Sequence, residues 1–169
     1  IIHDFTKKFT KILVDFGFPR CEGNIMLSNP YWCKSSKDFK DLIYSWVNEP
    51  NPENLMNTAI FYDAACISGI KDLLIDLKEY LFRVGANSQT FNANFAKVIT
   101  NFDVPLGFFD GFVVDSKNSE HKNELDIKKG GIFLIVQSIR ALCLEHHILK
   151  TNTSKRILLL TKKGVFDLD

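Results

Sequence analysis

The chain has no long apolar run, almost no net charge and no paired cysteine motif, and each absence removes a class of function. A membrane-spanning helix needs roughly 18 or more apolar residues, whereas the longest apolar stretches, such as Gly131 to Val136 and Ile157 to Leu160, are far shorter. No charged segment leading into an apolar core opens the chain, so a secretory signal is not expected. Twenty-one basic residues stand against 20 acidic ones, a formal net charge of +1. That argues against a nucleic-acid binder, because phosphate neutralisation needs a clustered basic excess. Cys21, Cys33, Cys66 and Cys143 show no C-x-x-C spacing, which favours free thiols and a cytoplasmic location. Neither G-x-x-x-x-G-K-[ST] nor G-x-G-x-x-G occurs, so the phosphate cradles built on those loops are not expected.

What is present is a core. Hydrophobic residues make up 46% of the 169 residues, with 15 phenylalanines, enough for one domain or one domain plus part of a neighbour. The first residue is Ile1 and a helical pattern begins almost at once, which reads as a chain cut from a longer polypeptide. Phe5, Phe9, Ile12, Leu13 and Phe16 make an amphipathic stripe that Gly17 is placed to end. A loop follows to Lys34, with Asn24 to Leu27 as the one candidate strand. Ser35 with Asp38 has capping-box spacing ahead of a second helix that Pro50 ends. Asn51, Pro52 and Glu53 open a third. Ser68 and Gly69 interrupt the pattern, and a long helix is expected from Ile70 to Val84, closed by Gly85. Ser88 caps a fifth, with Phe91, Phe95, Val98, Ile99 and Phe102 on one face. A long irregular stretch, Val104 to Glu124, precedes a sixth helix expected from about Asp126 to Ile148, weakened at its start by Gly130 and Gly131. Thr153 or Ser154 is placed to cap a last helix that Gly164 closes. The expected class is all-α, an antiparallel helical bundle, with at most that one short strand.

Several groups of residues carry possible chemistry. Glu120, His121, Lys122, Asp126, Lys128 and Lys129 form the densest polar cluster. Lysines beside a helix N-terminus suit phosphates or an acidic acceptor, and the competing reading is a solvated loop with Asp126 as a cap. Asp63 follows the apolar stretch Ala59 to Tyr62, so its carboxylate either meets substrate or pairs with a core cation, Arg83 and Arg140 being the candidates. Cys143, His146 and His147 would share a helical face as three metal ligands. No fourth ligand is evident, and Cys143 reads better as a small core filler. A Cys–His nucleophile pairing Cys21 or Cys33 with His121 lacks a group to orient the base. Pro105 to Phe112 reads as a hydrophobic plug ahead of a base-stacking wall.

Five runs in order resemble one family. They are Gly17-Phe18-Pro19-x-Cys21-x-Gly23-Asn24-Ile25-Met26-x-Ser28-Asn29-Pro30-x-Trp32, Trp46-x3-Pro50-x-Pro52, Asn57-x-Ala59-Ile60-Phe61-x-Asp63, Pro105-Leu106-Gly107-Phe108-Phe109, and Glu120-His121-Lys122-x2-Leu125-Asp126-Ile127-Lys128-Lys129-Gly130-Gly131-Ile132-Phe133. Together they resemble the signal-transduction nucleotidyltransferases related to the PII-protein uridylyltransferases of bacteria. The resemblance implies a two-part enzyme: an α/β nucleotidyltransferase domain that holds Mg²⁺ and NTP, then a helical substrate-binding domain. Residues 1–34 would be the tail of the first part and residues 35–169 the second, cut short at its C-terminus. Asp63, His121, Lys122, Asp126, Lys128 and Lys129 would meet the substrate, either a protein or a small molecule.

The resemblance also implies upstream CBS or cyclic-nucleotide-binding regulatory domains as partners, with no nucleic acid and no membrane. The family's catalytic domain opens on a Gly-Ser turn and an Asp-x-Asp pair, which holds Mg²⁺ against the nucleotide phosphates. This chain has no Gly-Ser, and its one Asp-x-Asp is the terminal Asp167-Leu168-Asp169. The expectation is a substrate-positioning domain inactive on its own. The alternative is a non-catalytic helical module for protein–protein interaction.

Overall fold

The computed structural model describes residues 2–98 and 127–166. Among the described residues the fold is all-α, with no strand. The chain divides into two compact units, Ile1–Leu42 and Ile43–Asp169.

In the first unit, α1 (Ile2–Asp15) ends as its sequence predicts. Gly17 takes the left-handed conformation at φ 91°, and the amides of Gly17 and Phe18 bond back to the carbonyls of Val14 and Leu13 at 2.9 and 3.1 Å, a Schellman closure. The apolar stripe of α1 is exposed: Phe5 is 63% and Phe16 78% accessible, while the buried positions are Thr6 and Thr10. The candidate strand does not form. Asn24 sits at φ 53°, its amide bonds to the Cys21 carbonyl, and its own carbonyl accepts from the Asn29 side chain. Local turns thus take the backbone groups that a strand would need for a partner. Ser35 caps α2 (Ser36–Asn48): its hydroxyl accepts from the Asp38 amide at 3.2 Å and donates to the Asp38 carboxylate at 2.7 Å.

The second unit takes the end of α2 and all later helices. Asn51 caps α3 (Pro52–Tyr62), accepting from the Asn54 amide, with Pro52 in the first turn. Next comes α4 (Lys71–Ala86). Gly85, expected to close it, lies inside it. A Cβ there would meet the Phe91 ring at 3.4 Å, so this glycine allows close approach rather than a turn. Ser88 caps α5 (Gln89–Lys97) through the Phe91 amide, and Phe91 and Phe95 are buried.

The expected sixth helix has a different start and end. Residues Lys128–Ile132 form a π-helical turn, with the Phe133 amide reaching back to the Lys128 carbonyl, and Gly130-Gly131 suits that wider turn. The α-helix proper, α6, is Phe133–Glu145. It ends three residues early because His147 adopts φ 55°, and the Ile148 amide bonds to the Cys143 carbonyl at 2.8 Å. The last helix, α7 (Thr153–Lys162), is capped by Asn152 rather than Thr153 or Ser154. Gly164 closes it at φ 74°. The helices α4, α5, α6 and α7 pack on one another around Leu81, Phe82, Phe91, Ile139, Cys143 and Leu160.

Candidate functional site

The end of α3 delivers two adjacent residues to opposite tasks. Asp63 accepts hydrogen bonds from Arg140 on α6, one of them from Nε at 3.0 Å, and its other oxygen lies 2.7 Å from Nη1 of Arg156 on α7. That second contact is an ion pair without hydrogen-bond alignment. Arg156 is 1% exposed. A guanidinium that deep costs several kcal/mol in lost hydration unless it is paired, and Asp63 supplies the counter-charge. Its Nη2 nevertheless has no hydrogen-bond partner.

Tyr62 organises the cations. The Arg156 guanidinium lies 4.6 Å from the centre of its ring and the Lys78 ammonium 5.9 Å, both within cation–π range. The Tyr62 hydroxyl donates to the Ile148 carbonyl, and Arg156 Nε donates to the Lys150 carbonyl. Lys78, on α4, donates to the Ala64 carbonyl at 2.6 Å. Side chains from α3, α4 and α7 thus hold the loops after α3 and after α6, in addition to the local backbone bonds at their starts. Burial, then the Arg156 charge, lowers the Lys78 pKa to about 8. Burial raises the Cys143 thiol to about 11 and pushes the Tyr62 phenol well above its usual value.

Between those two loops and the start of α4 lies a cleft of about 320 Å³, with Ala64, Cys66, Lys71, Lys78, Lys150 and Thr151 among its walls.

The residues singled out in the sequence are distributed as follows. Asp63 pairs with Arg140, one of its two candidate partners, whereas Arg83 lies over Tyr80 with its guanidinium 5.2 Å from the ring centre. Lys128 is exposed in the π-helical turn, and Lys129 belongs to the same turn. His121, Lys122 and Asp126, like Pro105 to Phe112, lie outside the described residues. Cys143, His146 and His147 do not share a helical face. Cys143 is buried, whereas His147 has left the helix and stacks on Phe82 at 5.0 Å. Among the described residues no group of three His, Cys, Asp or Glu side chains comes together to hold a metal ion. Sequence reasoning does not single out Arg156, Tyr62 or Lys78. Two of them carry a signal: Lys78 is in register with Leu81, Phe82 and Gly85 on the buried face of α4, and Arg156 with Leu160 on that of α7.

A family model described as "Putative nucleotidyltransferase DUF294" matches residues 1–53, and one described as "Putative nucleotidyltransferase substrate binding domain" matches residues 89–169. The chain belongs to this nucleotidyltransferase family. No curated protein and no solved structure matches it. The substrate-binding-domain match contains α5, α6 and α7, and with them Arg140 and Arg156. Residues 54–88, between the two matches, hold most of α3 and all of α4. They are no linker, because Asp63 from that stretch carries the pairing partner of both arginines. No helix of the described residues is long and apolar enough to cross a membrane.

Proposed function

We propose that this chain positions the acceptor for nucleotidyl transfer from an NTP, as the helical part of a cytoplasmic enzyme similar to the PII-protein uridylyltransferases of bacterial signal transduction. The observation that carries the reading is the substrate-binding-domain match over residues 89–169. In this reading residues 1–34 are the tail of the nucleotidyltransferase domain, and residues 35–169 form the acceptor side of the cleft. Mg²⁺ and NTP belong to the upstream domain, which CBS or cyclic-nucleotide-binding domains regulate. Lys128 and Lys129, with His121, Lys122 and Asp126 beside them in sequence, contact the acceptor. The π-helical turn at Lys128–Ile132 supports that assignment, since such turns are frequent at functional sites. Asp63 acts by ordering Arg140 and Arg156.

The test is label transfer. With α-labelled UTP or ATP, Mg²⁺ and candidate acceptors, the longer protein carrying the upstream domain transfers label and this chain alone does not. Turnover by this chain that survives Asp167→Ala and Asp169→Ala would contradict the reading. A second reading, a non-catalytic module docking a protein partner, is favoured by the exposed Phe5, Ile12 and Phe16 of α1. It predicts no label transfer even by the longer protein.

A further inference from the structure

We propose that the lysine-lined cleft between the α3–α4 loop, the start of α4 and the α6–α7 loop binds a phosphoryl group of a small molecule, held by Lys71, Lys78 and Lys150. The cleft's volume, about 320 Å³, is at the small end for ligand pockets, too tight for a whole nucleoside triphosphate but ample for a phosphoryl group and a few further atoms. Its walls carry three lysines and no carboxylate. The acidic residues of α4, Asp72, Asp76 and Glu79, are exposed and do not line it. Among the described residues none of the three lysines has a carboxylate within ion-pair distance. Three like charges around one concavity repel one another, and an anion seated among them relieves that repulsion.

The walls are also fixed in advance. Lys78 is only 4% exposed, yet it reaches the cleft, and its bond to the Ala64 carbonyl holds one wall. Tyr62 and Arg156 hold the other through the carbonyls of Ile148 and Lys150. An anion therefore meets Lys78 already in place between fixed walls, and the ordering cost falls on the Lys71 and Lys150 side chains alone. The first turn of α4 adds amides with no side-chain cap, since Ile70 supplies none, and these favour negative charge.

The proposal rests on the substrate-binding reading only for the ligand's role; the binding itself is independent of it. The phosphoryl group could come from the nucleotide or from a phosphorylated acceptor. Calorimetric titration of this chain with inorganic pyrophosphate, UTP and ribose 5-phosphate separates them. Pyrophosphate binding that weakens with added salt is expected. Lys71→Ala with Lys150→Ala, both at exposed positions, should weaken it about tenfold or more with the thermal midpoint unchanged. UTP binding more tightly than ribose 5-phosphate assigns the phosphoryl to the nucleotide, and the reverse order assigns it to the acceptor. Lys78→Met in a folded protein should abolish binding. No binding of any probe at millimolar concentration, or binding untouched by the lysine substitutions, would overturn the proposal. Binding without label transfer by the longer protein would instead leave the cleft standing and remove the transferase reading.

Discussion

Arg156 lies over the Tyr62 ring, and the two side chains hold one loop at two points two residues apart. The guanidinium lies 4.6 Å from the ring centre, while the Tyr62 hydroxyl bonds the Ile148 carbonyl and Arg156 Nε the Lys150 carbonyl. One residue comes from α3 and the other from α7, so the α6–α7 loop is set by partners distant in sequence. Removing either should free the loop. Tyr62→Phe leaves a carbonyl unpaired and should cost about 1–2 kcal/mol. Arg156→Met leaves Asp63 with Arg140 alone and should cost about 3 kcal/mol. Urea denaturation checks both, and a loss from Arg156→Met smaller than that from Tyr62→Phe would contradict the arrangement.

Asp63 tests structure against contact. Its carboxylate is the counter-charge for two guanidiniums, one of them 1% exposed. Asp63→Asn keeps the shape and removes the charge, leaving buried positive charge uncompensated, and should destabilise by about 3 kcal/mol. A variant of unchanged stability with abolished acceptor binding would make Asp63 a substrate contact instead.

The pH dependence of stability should have a plateau. Lys78 titrates at about 8 when folded against a usual 10.5. Above pH 8 the unfolded chain therefore holds more protons, and stability rises by up to about 1.4 kcal/mol per pH unit. The Cys143 thiol is raised from 9.0 to about 11, so above pH 9 the folded state keeps a proton that the unfolded state loses, which offsets the rise. Above pH 10 the raised Tyr62 phenol acts in the same direction and stability falls. Denaturation midpoints at half-unit steps should climb from pH 8 to 9, level off, and drop beyond 10. Lys78→Met should remove the climb, and a monotonic fall from pH 8 in the parent chain would refute the assignment.

Asn152 is the cap of the helix that carries Arg156. Asn152→Ala removes the acceptor for the Lys155 amide and should cost about 1 kcal/mol, while Thr153→Ala and Ser154→Ala, whose residues lie inside α7, should cost less. Equal losses at all three would contradict the observed helix start.

The helices are legible because their signals are local. Ser35, Asn51 and Ser88 cap where spacing places them, and Gly17 and Gly164 close where glycine is expected. Sequence and structure part where a local signal meets a distant contact. Gly85 reads as a terminator but makes room for the Phe91 ring, which no local pattern records. His147 reads as helical because only its left-handed backbone, uncommon for a non-glycine residue, reveals the end at Glu145. Asn24 to Leu27 has strand-like residues but finds no partner strand among the described residues. At the site, a carboxylate beside an apolar run points to a core cation for Asp63, and the structure selects Arg140 over Arg83. The role of Arg156 does not, because an arginine between Lys155 and Ile157 reads as surface until its alignment with Leu160 is weighed.

The central claim, that this chain positions an acceptor for nucleotidyl transfer, is tested most directly by the kinetics of the longer protein with Lys122→Ala and Lys128→Ala. Removing each lysine's interaction with a charged group should weaken binding by about 1.5–3 kcal/mol, roughly 10- to 150-fold. With label transfer as the readout, the account predicts a KM for the acceptor raised by at least the lower figure, with kcat and the thermal midpoint nearly unchanged. An unaltered KM together with a large loss of stability would show that these lysines only support the fold, and would contradict it.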